Sequence, residues 1–196
     1  MVLSPSPGRP FVLLDRDGTL IEERGYLRDV EEVRLLPQSV SGLRRLRELG
    51  FGLVLVTNQS GVARGYFDAR RVDEVHDRVR ALLAREGLHL DGIYFCPHLP
   101  EAGCACRKPR PGLGLQAAAE LGIDLTRSFV VGDKPADVAW GQGLGATSFL
   151  VRTGHGASVD LARLPRPTRA VDDLLHAAEF VQRLISSTGG GRWNWS

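Results

Sequence analysis

The chain has 196 residues, 43% hydrophobic and 24% charged, enough to bury one core and ordinary for a globular protein. With 25 Lys and Arg against 23 Asp and Glu, the net charge of +2 is too small to point to nucleic acid or a membrane surface. No apolar stretch is long enough to span a bilayer, and prolines occupy residues 1–10 where a signal peptide would be apolar, so a cytoplasmic protein is expected.

Residues 11–14 are a short apolar run that predicts a buried strand. Asp15-Arg16-Asp17-Gly18-Thr19 follows it. In extended backbone, residues two apart share a side, so Asp15 and Asp17 face one way and Arg16 the other. Such a pair suits cation binding through oxygen, or a division of labour between nucleophile and general acid. Taken alone it reads equally well as a polar turn. Residues 21–36 are too long and polar for a simple connection, and loops of this size usually shape a site. Residues 38–49 have helical spacing and stop at Gly50.

A second strand is expected over 51–56, followed by Thr57-Asn58-Gln59-Ser60-Gly61. Asp68 can cap an amphipathic helix running to about Glu86. A third strand covers 92–95, and 97–110 form a loop rich in Pro and Cys. The helix at 111–121 begins with Pro and stops before Gly122. A fourth strand at 128–131 leads into Gly132-Asp133-Lys134-Pro135-Ala136-Asp137 and a short helix at 136–141. A last strand at 147–151 and a terminal helix at 171–184 complete the pattern. Alternating strands and helices predict an α/β fold with a doubly wound parallel sheet. Neither long loop can fold as a large cap. One domain is therefore expected over 10–185, with 1–9 and 186–196 as disordered tails, the latter carrying Trp193 and Trp195.

In a parallel sheet all strand C-termini lie on one edge, where open α/β sheets bind ligands. The polar clusters can therefore converge there. A carboxylate nucleophile, a hydroxyl, a lysine and a remote acidic pair are what phosphoryl transfer needs. The chain uses Arg for nearly every cation, and its two lysines, Lys108 and Lys134, both fall in these clusters. Chance explains either singly; together they suggest sites that need a compact ammonium.

All three cysteines lie between Cys96 and Cys106, with His98 among them. Cys96, His98, Cys104 and Cys106 supply a closed tetrahedral zinc set. The odd count argues against a disulfide framework, which leaves inert loop cysteines as the alternative. Four protein ligands leave no open position, so the zinc would be structural and would fix the loop carrying Arg107 and Lys108.

The motif order over about residues 11–151 resembles the haloacid dehalogenase superfamily of phosphohydrolases, without a large cap and with a zinc-binding loop. The resemblance implies that Asp15 attacks phosphorus and that Asp17 protonates the leaving oxygen, then activates water. It implies that Thr57 and Lys108 hold the phosphoryl group. Asp133 would complete a Mg²⁺ site with Asp15 and the Asp17 carbonyl, Asp137 would stand behind it, and Lys134 would pair with Asp15 or reach the phosphate. The zinc loop is shared by the sugar-bisphosphate and histidinol-phosphate branches, and the stretch from Gln59 to Gly65 with the Gly25-Tyr26 pair looks like the sugar-bisphosphate branch. The five residues between His98 and Cys104 are closer to the histidinol-phosphate branch.

A bisphosphate needs a second anion site, for which Arg64, Arg107 and Arg110 are candidates; the alternative for each is a solvated surface charge. Glu23, Arg24, Gly25 and Tyr26 match the family's substrate-contacting segment, and Asn58, Gln59, Ser60 and Lys134 are further substrate candidates. His76, His89, His155 and His176 have no motif context and read as surface or packing residues. The expectation is a Mg²⁺-dependent phosphoric monoester hydrolase, monomeric, acting on a small sugar phosphate. The rival from another class is a non-catalytic, zinc-stabilised binding module.

Overall fold

The computed structural model describes residues 8–165 and 168–188. Its strands are β1 (Phe11–Leu14), β2 (Gly52–Asn58), β3 (Gly92–Cys96), β4 (Phe129–Gly132), β5 (Thr147–Val151) and β6 (Arg169–Val171). They form one parallel sheet in the order β3-β2-β1-β4-β5-β6. The first strand is thus central, with β2 and β4 on either side.

The helices are α1 (Ser39–Glu48), α2 (Ala69–Arg85), α3 (Gly112–Leu121), α4 (Pro135–Gly143) and α5 (Leu174–Thr188). Strand residues alternate between two cores, as a period of two requires. Val12 and Leu14 pack with Leu43 of α1, Val79 of α2 and Val181 of α5. Phe11 and Leu13 face Leu113 of α3 and Trp140 of α4. Burial on both faces explains why β1 and β2 read as continuous apolar runs.

Local signals fix most helix ends. The Asp68 carboxylate accepts from Arg71 N at 2.9 Å and caps α2, a contact worth about 1 kcal/mol. Pro111 is the N-cap of α3 rather than its first residue, and Gly122 ends it with φ +65°. The long 21–36 loop is folded against the body: Ile21 bridges Leu35, and Ile21, Leu27 and Val33 are buried.

Several boundaries differ from expectation; β2, for one, runs on through Asn58 and α4 spans Pro135–Gly143. Val171 belongs to β6 and not to the terminal helix, which starts at Leu174. A strand of three residues is too short to display a period. Arg9 is anchored, since it exchanges backbone hydrogen bonds of 3.0 Å with Gly122 and Asp124. Helix α5 continues through Thr188. Trp193 and Trp195 lie outside the described residues. Among the described residues, no helix is long and apolar enough to cross a membrane.

Candidate active site

The C-terminal ends of β2, β1 and β4 bring Thr57, Asp15 and Asp133 to one edge of the sheet. Asp15 N donates to Val131 O at 2.9 Å, which fixes the residue beside the end of β4. A cavity of about 40 Å³ is lined by Asp15, Asp17, Thr57, Asn58, Lys108, Lys134, Ala136 and Asp137. A far larger open depression, about 890 Å³, lies along Arg28, Tyr66, Phe67 and Arg71 and contains none of the paired carboxylates. The paired carboxylates and Lys108 line the small cavity.

Lys108 is 4% exposed and its Nζ has three acceptors: Asp15 Oδ1, Asp137 Oδ1 and Val56 O, each at 2.7 Å. These match the three ammonium protons. Burial opposes its charge, but Asp137 and Asp15 outweigh burial and raise its pKa. Burial likewise pushes Asp15 up, yet Lys108 and Lys134 hold its carboxyl below the usual range. Asn58 clamps the Lys108 backbone, with Nδ2 donating to Lys108 O and Oδ1 accepting from Lys108 N, both at 3.1 Å. Asn58 and Asp137 therefore aim the lysine at Asp15.

Asp17 is held from behind. Arg16 was expected to face away from it; instead its guanidinium folds back, with Nε 3.1 Å from Asp17 Oδ2. A cation buried to 1% exposure needs a counter-charge, and the adjacent carboxylate is within reach. Gln59 has partners within the site that the sequence does not announce. Its Nε2 donates to Asp17 Oδ2 and to Thr57 Oγ1, both at 2.9 Å, so the amide is engaged within the site.

Asp133 is fully buried. Its Oδ2 accepts from His155 N at 2.8 Å, while Oδ1 has no hydrogen-bond partner and Lys134 Nζ stands 3.6 Å away. Burial, opposed by Lys134, pushes its pKa up to about 6. A Cβ on Gly18 or Gly154 would come within 2.2 or 2.4 Å of Oδ2, so only glycine leaves room for this carboxylate. Ligand oxygens of Asp15, Asp133 and Asp137 lie within 4.8 Å of one another. An orphaned buried oxygen beside further carboxylates fits a hard divalent cation such as Mg²⁺.

Glu23 crosses the mouth of the site. Its Oε2 is 3.2 Å from Lys134 Nζ and 3.3 Å from His155 Nε2. His155, read from sequence as a surface or packing residue, thus sits at the mouth; its position just after β5 was the available signal. Of the other candidates, Gly25 turns the loop with φ +72° and donates to Glu23 Oε1 at 2.7 Å, while Arg24 pairs outward with Glu22. Tyr26 and Tyr66 form an exposed edge-to-face pair at 4.7 Å, with Arg64 5.9 Å over the Tyr26 ring. Ser60 accepts Arg64 N through its backbone at 3.0 Å.

Arg107 Nη1 donates to His98 O at 3.0 Å. Arg110 bonds the Gly103 and Cys104 carbonyls, so its guanidinium is tied to the loop, whose carbonyls need donors. Both line a depression of about 280 Å³ beside Lys108. The ligand atoms of Cys96, His98, Cys104 and Cys106 all fall within 4.8 Å of one another. Cys106 Sγ is 3.2 Å from Cys96 Sγ, 3.4 Å from Cys104 Sγ and 3.2 Å from His98 Nδ1.

A central parallel strand ending in Asp-x-Asp, with a lysine and an acidic pair delivered by its neighbours, defines a haloacid dehalogenase-like hydrolase. Residues 105–177 match the family model Hydrolase_like, described as HAD-hyrolase-like. The D-glycero-beta-D-manno-heptose-1,7-bisphosphate 7-phosphatase of Photorhabdus laumondii is 43% identical over 161 residues, 78% of this chain and 86% of that protein. The enzyme of the same name from Yersinia pestis is 40% identical, over 82% of this chain and 96% of its own. The crystal structure of D,D-heptose 1,7-bisphosphate phosphatase from B. bronchiseptica, complexed with magnesium and phosphate, superposes with a TM-score of 0.82 at 37% identity, covering 89% and 98% of the two chains. The chain belongs to the heptose-1,7-bisphosphate 7-phosphatase family.

Proposed function

We propose that the chain is a Mg²⁺-dependent phosphatase that removes the 7-phosphate of D-glycero-D-manno-heptose 1,7-bisphosphate. The observation that carries this reading is Asp15, buried at the end of the central strand and kept ionised by Lys108 at 2.7 Å. Its carboxylate attacks phosphorus while the ester oxygen departs with a proton from Asp17, leaving an aspartyl phosphate. Asp17 then takes a proton from water, the water oxygen attacks phosphorus, and phosphate leaves with Asp15 restored. Lys108 and Thr57 hold the phosphoryl oxygens. Mg²⁺, held by Asp15, Asp133 and the Asp17 carbonyl, supplies charge neutralisation when bound.

The second anion site falls to Arg107, with Arg64 a further candidate beside Tyr26 and Lys134 at the mouth. The Cys96, His98, Cys104 and Cys106 set is proposed as a structural zinc site. Zn–S bonds of about 2.3 Å place tetrahedral sulfurs about 3.8 Å apart, somewhat wider than the 3.2, 3.4 and 3.6 Å between the three sulfurs here. The short span between His98 and Cys104 favours a second reading, a histidinol-phosphate phosphatase. Phosphate release from the α and β heptose bisphosphates and from histidinol phosphate tests both. A strong preference for a bisphosphate supports the first reading; equal or better turnover of histidinol phosphate overturns it.

A further inference from the structure

We propose that Arg16 and Gln59 are positioning residues that reserve one oxygen of Asp17, Oδ1, for the proton of the reaction. The proposal rests on the reading of Asp17 as general acid and base. It starts from an asymmetry between two oxygens of one carboxylate.

Asp17 Oδ2 accepts two hydrogen bonds, from Arg16 Nε at 3.1 Å and Gln59 Nε2 at 2.9 Å, with Arg16 Nη2 a further ion-pair contact at 3.0 Å. Oδ1 meets one, Arg16 Nη2 at 3.1 Å. Guanidinium and amide N–H groups can only donate. A proton placed on Oδ2 would face N–H groups with nothing to accept it. Oδ1 keeps a lone pair clear of them, so the transferable proton belongs there. The third guanidinium nitrogen, Nη1, has no hydrogen-bond partner. Asp17 is thus the group that sets the orientation of this buried cation, and the cation in turn sets the rotamer of Asp17.

Gln59 extends the same logic to the phosphoryl site. Its amide has two protons, one on Asp17 Oδ2 and the other on Thr57 Oγ1. Having accepted this bond, the Thr57 hydroxyl turns its own proton outward as a donor. One side chain therefore sets the acid/base oxygen and the phosphoryl-binding hydroxyl together. Arg16 and Gln59 are 1% and 6% exposed, and neither needs to touch the substrate to act.

The test compares a sugar bisphosphate, whose alkoxide leaving group needs a proton, with 4-nitrophenyl phosphate, whose leaving group does not. Arg16→Met, Gln59→Leu and Asp17→Asn are measured by steady-state kinetics and by first-turnover release of nitrophenol. The expected result for Arg16→Met and Gln59→Leu is a fall in kcat on the sugar ester of about 10- to 100-fold, part of the range general acid–base catalysis supplies, at nearly constant KM. First-turnover nitrophenol release should fall no more than a few-fold in Arg16→Met; in Gln59→Leu, which also frees the Thr57 hydroxyl, it should fall further, yet clearly less than turnover of the sugar ester. Equal losses on both leaving groups, while Asp17→Asn still separates them, would overturn the positioning role and leave the acid/base reading intact. Failure of Asp17→Asn itself to separate the leaving groups would overturn both. If Arg16→Met does not fold, Gln59→Leu decides, because it removes only a neutral amide donor and leaves the buried Arg16 and Asp17 charges paired.

Discussion

Lys108 Nζ lies 2.7 Å from Asp15 Oδ1 and the same distance from Asp137 Oδ1. Asp137 is therefore the counter-charge that lets a buried ammonium point at the nucleophile. Its Oδ2 also accepts from Lys134 N at 3.0 Å, closing the first turn of α4. Asp137→Ala should cost about 3–5 kcal/mol of stability, the usual penalty for breaking a buried pair. Asp137→Asn keeps the cap geometry and should lower kcat with a smaller drop in melting temperature. Chemical denaturation and kinetics on the two variants check this, and an Ala variant as stable and active as the parent would refute it.

Asp15→Asn should abolish turnover and leave the fold intact. An amide of the same shape cannot form an acyl phosphate. Phosphate release together with circular dichroism is the measurement. Retained Mg²⁺-dependent turnover would remove Asp15 as nucleophile, whereas no phosphate release from the parent itself would favour the binding-module alternative.

Protein purified without added metal should contain one zinc per chain by elemental analysis, and Cys104→Ser should lower both zinc content and melting temperature. The loop between Cys96 and Cys106 carries Lys108 two residues further on, so activity should fall with it. A zinc-free, reduced protein that is fully stable and active would contradict the proposed site.

Arg107→Ala should weaken discrimination for the bisphosphate by about 10- to 100-fold, the loss of one charge-assisted contact of roughly 1.5–3 kcal/mol. Hydrolysis of a simple monophosphate should change less. Arg107 also holds the His98 carbonyl, so zinc content must be shown unchanged. Equal losses on both substrates would place Arg107 in a loop-holding role.

His76 is 2% exposed on α2, lies edge-to-face against Phe95 at 5.7 Å, and its Nε2 has no hydrogen-bond partner. Burial, with Arg16 and Arg80 nearby, pulls its pKa down from 6.5 to about 3. A depressed folded pKa means that the unfolded chain binds the proton first. The contribution of neutral His76 is therefore complete above pH about 6.5 and is lost as pH falls towards 3, at about 1.4 kcal/mol for each unit of depression. Thermal melts from pH 7.5 to 4.5 should show a shallower acid decline for His76→Leu than for the parent. Parallel declines would show that His76 does not titrate in this way.

Much of the site is legible in sequence because its residue types are rare in the places they occupy. Asp15 and Asp17 stand at a strand end, Lys108 is one of two lysines, and three cysteines share one short loop. The role of Arg16 is not legible. Strand alternation sends it to the opposite face, and the need of a buried cation for a counter-charge overrides that geometry. Gln59 lies in a recognisable motif, but nothing local says that its amide is engaged by Asp17 and Thr57. His155 and Gly154 belong to the site through Asp133, more than a strand and a helix away in sequence. The short β6 strand is likewise recognisable only through its pairing with β5.

The seating of Asp133 between Gly18 and Gly154 also says something about how the chain matures. One glycine precedes most of the sheet in sequence and the other follows β5, yet both must close on the same carboxylate. The central strand is synthesised first but gains its neighbour β4 only after two intervening strands and three crossovers. Such long-range closures are slow steps in folding. A nascent chain that already displays Asp15, Asp17 and Lys108 still lacks the wall that seats Asp133. The acidic site is therefore complete only when the β5 end of the sheet has docked against the first strand.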